Sequence, residues 1–411
     1  MSRRVHVRVP ASTSNLGGGF DCIGVAVDRW LSVAIALDLA RDDLSITRGG
    51  TLSALDVTPD DDRIIIGFRA ACRHAGRAAP PGLRVRARSA IPVARGLGSS
   101  AAATVAGAVA ANALLDLDLD DRTIAAIAAE VEGHPDNVAP AVFGGATLAL
   151  GARGANGEPV LEVRPLVVST DLALVLAVPD FQVETTQARS LLPSTVPHAI
   201  AARAAALGAA LVQGLPTADE ALLAAALDDV LHVPYRRELV RGFDTVVDAA
   251  RAAGAFGATL SGSGSTIAAI APRPLALAVA QAMRSAWREI GVEADAFESH
   301  TPDRGYVVRA IADSSSKRRP LMPVTLYLPT VLAKLADGKA IETRGTTVGE
   351  AVADVAARYP SLAPRLRDDA GKPYPFVTFY LNDEDIRFQG GFDAPLADGD
   401  ELTIVPAIAG G

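Results

Sequence analysis

Four stretches of this chain hold the residue types that chemistry needs. The densest is Pro92-Val-Ala-Arg-Gly-Leu-Gly-Ser-Ser-Ala-Ala-Ala103. Gly96 and Gly98 let the backbone approach a ligand closely. Ser99 and Ser100 offer hydroxyls to a helix cap or to a magnesium ion. The run from Ala101 to Leu115 is uncharged and rich in helix formers, so a buried helix begins just after the serines. A glycine loop at a helix N-terminus presents free N–H groups and a positive dipole end to a phosphate. No Lys follows the second glycine, so this is not a Walker A loop. The other stretches are Pro10-Ala-Ser-Thr-Ser-Asn-Leu-Gly-Gly-Gly-Phe-Asp21, Glu130-Val-Glu-Gly-His-Pro-Asp-Asn-Val-Ala-Pro140 and Gly257-Ala-Thr-Leu-Ser-Gly-Ser-Gly-Ser-Thr266. A single Gly/Ser stretch is most often a turn. Four of them in one chain ask for a common explanation.

These stretches need a scaffold. Alternation predicts strands over 5–9 and 31–37, and a strand over 83–87 enters the glycine loop. Apolar runs predict buried strands over 172–178 and 266–270. Helical patterns cover 64–75, 101–115 and the region near 275–290. Ala-rich stretches 199–210 and 221–226 read as packed helices. Strands and helices without strict alternation indicate an α+β fold. At 312–320 the composition turns polar and basic and ends in Pro, which marks a linker. The expected organisation is therefore a domain over 1–311, a linker over 312–321 and a small domain over 322–411. In the small domain, strands are expected over 324–328, 376–381 and 401–405, in a ββαβ-like unit. Its helix is expected over 347–357, with Thr346 or Thr347 as N-cap.

Composition sets the outer limits. The 411 residues are 49% hydrophobic and 21% charged, as in an ordinary globular protein. A net charge of −8 argues against nucleic acid or an anionic membrane as partner. The start, Met-Ser-Arg-Arg-Val-His-Val-Arg-Val, reads as a strand rather than a signal peptide. Cys22 and Cys72 are the only cysteines, which suits a reducing cytoplasm without a disulfide framework. The expectation is a cytoplasmic protein.

The four stretches together resemble the GHMP small-molecule kinases, and their wording is closest to homoserine kinase. His134-Pro-Asp-Asn137 before Val-Ala-Pro-Ala carries the resemblance most strongly. Val178-Pro-Asp180 with Thr185 and Arg189, and Val233-Pro-Tyr-Arg236, add to it. The resemblance spans roughly 5–311 and implies a two-part α+β fold with an ATP cleft. It implies transfer of the γ-phosphate of ATP to the hydroxyl of L-homoserine, with Mg2+. The implied substrate contacts are Asn15, Asp21, His134, Thr185, Arg189 and Arg236. Asp21 suits the ammonium, and the planar forks of Arg189 and Arg236 suit the carboxylate. Implied ATP contacts are Pro92, Gly96, Leu97, Gly98, Ser99, Ser100, Ala101, Ser261, Gly262 and Ser263. Ser100 and Glu130 are the implied magnesium ligands, with Glu132 competing for the role. Asn15, Asn137 and Arg189 form the implied catalytic set. Asn137 stands where other members carry a basic Asp, and a loose transition state needs no such base. Asp136 is read as structural and Arg95 as solvent-exposed. Two departures stand out. Ser265 replaces the usual Pro of the third motif, and Asp62-Arg-Ile-Ile65 lacks an Asn found near the adenine pocket of the family.

The second region, 322–411, resembles the β-grasp sulfur carriers of the molybdopterin, thiamine and cysteine pathways. The carrying residues are 377–388, Gly390-Gly391 and Leu396-Ala-Asp-Gly-Asp-Glu-Leu-Thr-Ile-Val-Pro406. Gly410-Gly411 at the end can thread a narrow channel. The resemblance implies an adenylating and sulfur-transferring enzyme partner and a thiocarboxylate on Gly411. A pyridoxal-phosphate enzyme is a further partner, able to join a phosphorylated amino acid to that sulfur. A homodimer is an open assembly. Two other readings stay open: a kinase for serine or another hydroxylated amino acid, and a carrier on a degenerate kinase scaffold.

Overall fold

Strand β1 (Arg4–Ser14) buries Val5, Val7 and Val9 and leaves His6 and Arg8 half-covered, the alternation expected of a sheet with one face on a core. Its register against β2 (Ile23–Leu37) shifts between Pro10 and Ala11. Beyond that point Ser12, Thr13 and Ser14 are buried, so β1 delivers three hydroxyls to the interior. The structure is a computed structural model. It describes residues 4–37, 43–153, 159–311, 324–336, 338–368, 377–382, 384–388, 391–396 and 400–406. The expected linker and the terminal Gly410-Gly411 lie outside the described residues, as do Gly390, Asp398 and Gly399. The chain divides into two units, Met1–Asp313 and Ser314–Gly411, and the architecture is α+β.

Two sheets build the first unit. One runs β11 (Val307–Ile311), β1, β2, β4 (Leu83–Ser89), β3 (Leu44–Gly50), with β5 (Ala146–Arg153) pairing both β2 and β6 (Pro159–Leu166). The other runs β10 (Ala294–Ser299), β7 (Leu172–Pro179), β9 (Ile267–Pro272), β8 (Gly257–Leu260). In β7, Leu-Ala-Leu-Val-Leu-Ala-Val is covered on both faces, which is why its run is continuously apolar. Helices α1 (Arg63–His74) and α2 (Ser99–Leu115) pack on the first sheet. Gly67 and Gly107 let them meet backbone to backbone, since a Cβ at either would overlap the facing main chain. Helix α3 (Asp121–Glu132) begins at the cap Asp120, whose carboxylate accepts the Thr123 N–H, and stops at left-handed Gly133. That stop turns the chain into His134-Pro135 and α4 (Val138–Phe143).

Helices α5 (Thr185–Ser190), α6 (His198–Thr217), α7 (Glu220–Ala226), α8 (Val233–Arg236), α9 (Phe243–Ala252) and α10 (Ala276–Glu289) complete the unit. The 199–210 stretch does form a helix, but it is not packed all round. Only Leu207, Leu211, Gly214 and Leu215 of α6 are buried, and its alanines mostly face solvent. Among the described residues α6 alone is long and apolar enough to cross a membrane, and its Leu211 and Leu215 join the unit's core.

The second unit is a five-stranded sheet, ordered β13 (Ala340–Thr343), β12 (Val324–Tyr327), β16 (Glu401–Pro406), β14 (Val377–Leu381), β15 (Glu384–Asp385). β12 and β16 are parallel, and the other pairings are antiparallel. Among its helices, α12 (Val348–Arg358) lays Val348, Ala351, Val352 and Val355 on this sheet; the expected helix starts one residue later than its cap, because Thr347 accepts the Glu350 N–H. Glu350 in turn accepts the Thr346 N–H, 2.7 Å, which completes a reciprocal cap. This is the β-grasp arrangement, with two more strands than the sequence pattern indicates.

Candidate active site

The glycine loop reaches its shape through contacts from both sheets of the first unit. Ser12 N–H of β1 donates to Leu97 C=O at 3.2 Å, and Thr266 N–H donates to Arg95 C=O at 3.1 Å. Gly96 and Gly98 both have positive φ, +74° and +66°. A Cβ on Gly96 would overlap the Ser261 carbonyl, and one on Gly98 the Ser12 hydroxyl. Both positions therefore demand glycine. Gly98 is the N-cap of α2 and supplies no side chain, so the helix start is left to whatever enters the cleft.

That cleft has a volume of about 300 Å³. It brings together Pro92, Gly96, Leu97, Gly98, Ser99, Ser100 and Ala101 with Asn15, His134, Asn137, Thr185, Arg189, Arg236, Gly262 and Ser263. Residues from all four sequence stretches thus meet on one wall. Glu132, the competitor for the metal role, lines it too, as do Arg63 and Thr186, to which the sequence assigned no role.

The metal assignment needs correction. Glu130 is exposed and lines a different cavity, of about 210 Å³, with Ala126, Ala129, Val160 and Leu161. Glu132 is the carboxylate at the loop. Its Oε1 accepts from Ser100 Oγ at 3.0 Å and Thr104 Oγ1 at 2.6 Å, and lies 3.6 Å from Arg63. The signal was available: Glu132 continues the buried face of Ile124, Ala125 and Ala128 at helical spacing, and Glu130 does not. One carboxylate among hydroxyls suits a hard divalent ion that keeps waters and phosphate oxygens as its other ligands.

Several polar groups are already engaged. Ser261 does not line the cleft; its buried hydroxyl donates to Gly96 C=O at 2.6 Å and meets Thr13 Oγ1 at 2.7 Å, so it holds the loop rather than a nucleotide. Arg95, expected in solvent, is half-buried, with Nε and Nη2 donating to the carbonyls of Pro179 and Asp180. Burial pulls its guanidinium below the usual value. Ser265 Oγ donates to Phe181 C=O at 2.6 Å, a bond its usual Pro could not make. Asp62 caps α1 and pairs with Arg48 at 2.7 Å.

The expected amino-acid clamp also differs from the sequence reading. Asp21 and Arg189 pair with each other, at 2.9 and 3.3 Å, and Asp21 is not on the cleft wall. Arg236 is almost wholly buried, donating to Ala188 C=O at 3.1 Å and Gly262 C=O at 3.5 Å. Burial, then the neighbouring Arg189, lower its pKa. Thr185 Oγ1 lies 3.2 Å from Ser263 Oγ. Asn15 adopts φ +60°; its Nδ2 donates to Gly262 C=O at 3.1 Å and its Oδ1 accepts the Asp21 N–H at 2.8 Å. Asn137 accepts from Ser12 Oγ at 2.9 Å and donates to Ser14 Oγ at 2.8 Å. His134 Nδ1 meets buried Asp136 Oδ1 at 2.6 Å. Burial opposes the charged imidazole, but Asp136 outweighs it and raises the His134 pKa. Asp136 is lowered by His134, Ser14 and the Asn137 N–H, against the upward push of burial.

The chain was compared with known proteins. Residues 63–145 match the GHMP kinases N terminal domain, 208–289 the GHMP kinases C terminal domain, and 327–411 the ThiS family. The chain is 41% identical to the homoserine kinase of Trichormus variabilis over 290 residues, 71% of this chain and 94% of the relative. It is 40% identical to that of Microchaete diplosiphon, over 71% of this chain and 92% of the relative. The crystal structure of homoserine kinase from Cytophaga hutchinsonii superposes with a TM-score of 0.66 at 31% identity, covering 74% of this chain and 97% of that one.

Proposed function

The chain belongs to the homoserine kinase family of GHMP kinases, and on that premise we propose a division of labour between its two units. Residues 1–311 transfer the γ-phosphoryl group of ATP to the side-chain hydroxyl of L-homoserine. Residues 322–411, joined through 312–321, carry sulfur as a thiocarboxylate on Gly411. ATP and Mg2+ serve the first reaction. The observation that carries the kinase reading is a single cleft holding both the cap-free start of α2 and the two arginines.

The α2 start and the loop N–H groups receive the phosphates. Ser100 and Glu132 would hold the metal, which would neutralise phosphate charge. Thr104 fixes the carboxylate from behind. An amino-acid zwitterion can exchange into the half-exposed Asp21–Arg189 pair beside the cleft: its ammonium replaces Arg189 at Asp21, and its carboxylate takes Arg189 with Arg236. Asn15 and His134 then face the hydroxyl, and Thr185 closes the same wall. Asn137 has its amide engaged by Ser12 and Ser14 and takes no proton. Positioning and charge neutralisation carry the rate, so no side chain must remove the hydroxyl proton first.

Phosphorylation converts the hydroxyl into a leaving group, and a thiocarboxylate is a sulfur nucleophile. A separate pyridoxal-phosphate enzyme can join the two, after an adenylating enzyme has loaded Gly411. The cytoplasm supplies the ATP and the reducing conditions this chemistry needs.

A coupled ADP-release assay over a panel of amino alcohols tests the kinase reading. L-Homoserine is expected to give the highest kcat/KM, with L-serine well below it. A preference for serine, or for hydroxy acids lacking an ammonium, overturns the assignment of substrate.

A further inference from the structure

His232 is fully buried and takes no part in the transfer argued above, yet it touches Asn15 and Phe20 and stands at the start of the helix that ends in Arg236. Its Nε2 lies 3.1 Å from the carbonyl of Asn15. A carbonyl only accepts, so Nε2 carries the proton and Nδ1 is the bare nitrogen. Nδ1 has no hydrogen-bond partner in its buried position. The ring stacks on Phe20 with centroids 4.9 Å apart and planes 18° from parallel. The Arg236 guanidinium lies 5.3 Å from the centroid of that same Phe20 ring. One Asp229 oxygen accepts the N–H groups of Leu231, His232 and Val233 at 3.0, 2.7 and 2.8 Å, and so fixes the start of α8, whose last residue is Arg236. The circle closes at Gly262, whose carbonyl accepts from both Asn15 Nδ2 and Arg236 Nη1.

We propose that His232 is a positioning residue for amino-acid recognition, holding Asn15 in its left-handed conformation and Arg236 in its buried pose. The inference rests on the reading of this half of the cleft as the homoserine site. Asn15 adopts a φ of +60°, a region open to Asn at small cost but not its default, so its surroundings select it. The His232 bond to its carbonyl and the Asp21 bond to its side chain hold it there from opposite sides. Burial pushes the His232 pKa down to about 4, so the ring stays neutral, as a donor to a carbonyl beside a cationic Arg236 must. None of these contacts reaches the α2 start. That side of the cleft is held by Ser12, Thr13 and Ser261 instead. The two halves of the cleft thus have separate supports.

Two variants of the full chain decide the matter. His232→Leu removes the donor and the stack, and His232→Gln keeps an N–H at the reach of Nε2. The Leu variant is expected to raise KM for L-homoserine about tenfold while KM for MgATP stays within about twofold, one lost hydrogen bond's worth of discrimination. The Gln variant is expected to recover most of that loss. A parallel rise in both KM values, or an unchanged homoserine KM in a folded Leu variant, overturns the proposal. If the Leu variant does not fold, Phe20→Leu, which removes the shared ring, decides by the same split. Should the wild type prefer a different hydroxylated amino acid, the homoserine reading fails, and the KM split measured on that substrate still decides the role of His232.

Discussion

Glu130 and Glu132 are two residues apart and face opposite sides of one helix, because each residue turns the helix by about 100°. Glu132 faces Ser100, Thr104 and Arg63, and Glu130 faces solvent and an apolar cavity. Glu132→Gln is expected to raise the Mg2+ concentration for half-maximal rate at least about tenfold, and Glu130→Gln to leave it unchanged. A magnesium titration of both variants checks this; the reverse order returns the metal to Glu130. Most residues of the cleft were legible in the sequence because glycines, hydroxyls and the His134–Asn137 run announce themselves by type. What was not legible is how polar groups spend their bonds. Asp21 and Arg189 suit two ends of an amino acid, yet each is also the best partner for the other, and they pair at 2.9 Å. Ser261 has the same chemistry as Ser263, but only the buried one is fixed to Gly96. Neither outcome is encoded in spacing.

At the scale of elements, α2 is the part on which the phosphate end depends. Its position is set before its first turn, by Gly98 against Ser12 and Asn137. Gly98→Ala would force a Cβ into the Ser12 hydroxyl at φ +66°. A stability loss of roughly 2–4 kcal/mol is expected from left-handed strain plus overpacking. KM for ATP should rise with it, while Gly76→Ala, with open space around its Cβ, should leave KM for ATP unchanged. Thermal melts and ATP saturation curves of the two variants check this. The central strands and long helices could be read from sequence, since β4 alternates strictly and β7 is apolar throughout. The strands that escaped are mostly at edges. β6 begins and nearly ends in Pro, β10 reads Ala-Asp-Ala-Phe-Glu-Ser, and β3 ends in two glycines. Edge positions tolerate these residues because one side needs no ladder partner. The exposure of α6 escaped for a related reason: alanine is indifferent to burial, so an Ala-rich run predicts helix without predicting which face is covered.

For the molecule as a whole, the chain divides into two units at Asp313 and Ser314, and its composition turns polar and basic over 312–320. If the carrier reading holds, intact mass spectrometry of protein from its own host will find a species heavier by about 16 Da, oxygen replaced by sulfur. Deleting Gly410 and Gly411 should abolish that species and leave homoserine phosphorylation unchanged. Only unmodified carboxylate in the full chain would remove the carrier from the account. The placing of β16 in its sheet bears on how such a tail could be handled. Pro406 ends a strand paired with β12 over its first three residues, 401–403, and with β14 over 402–406. Those hydrogen bonds run across the strand, so a pull along the tail is resisted by several of them at once. In the carrier reading, an enzyme that draws in the last residues would pull on a strand held by both neighbours at its start.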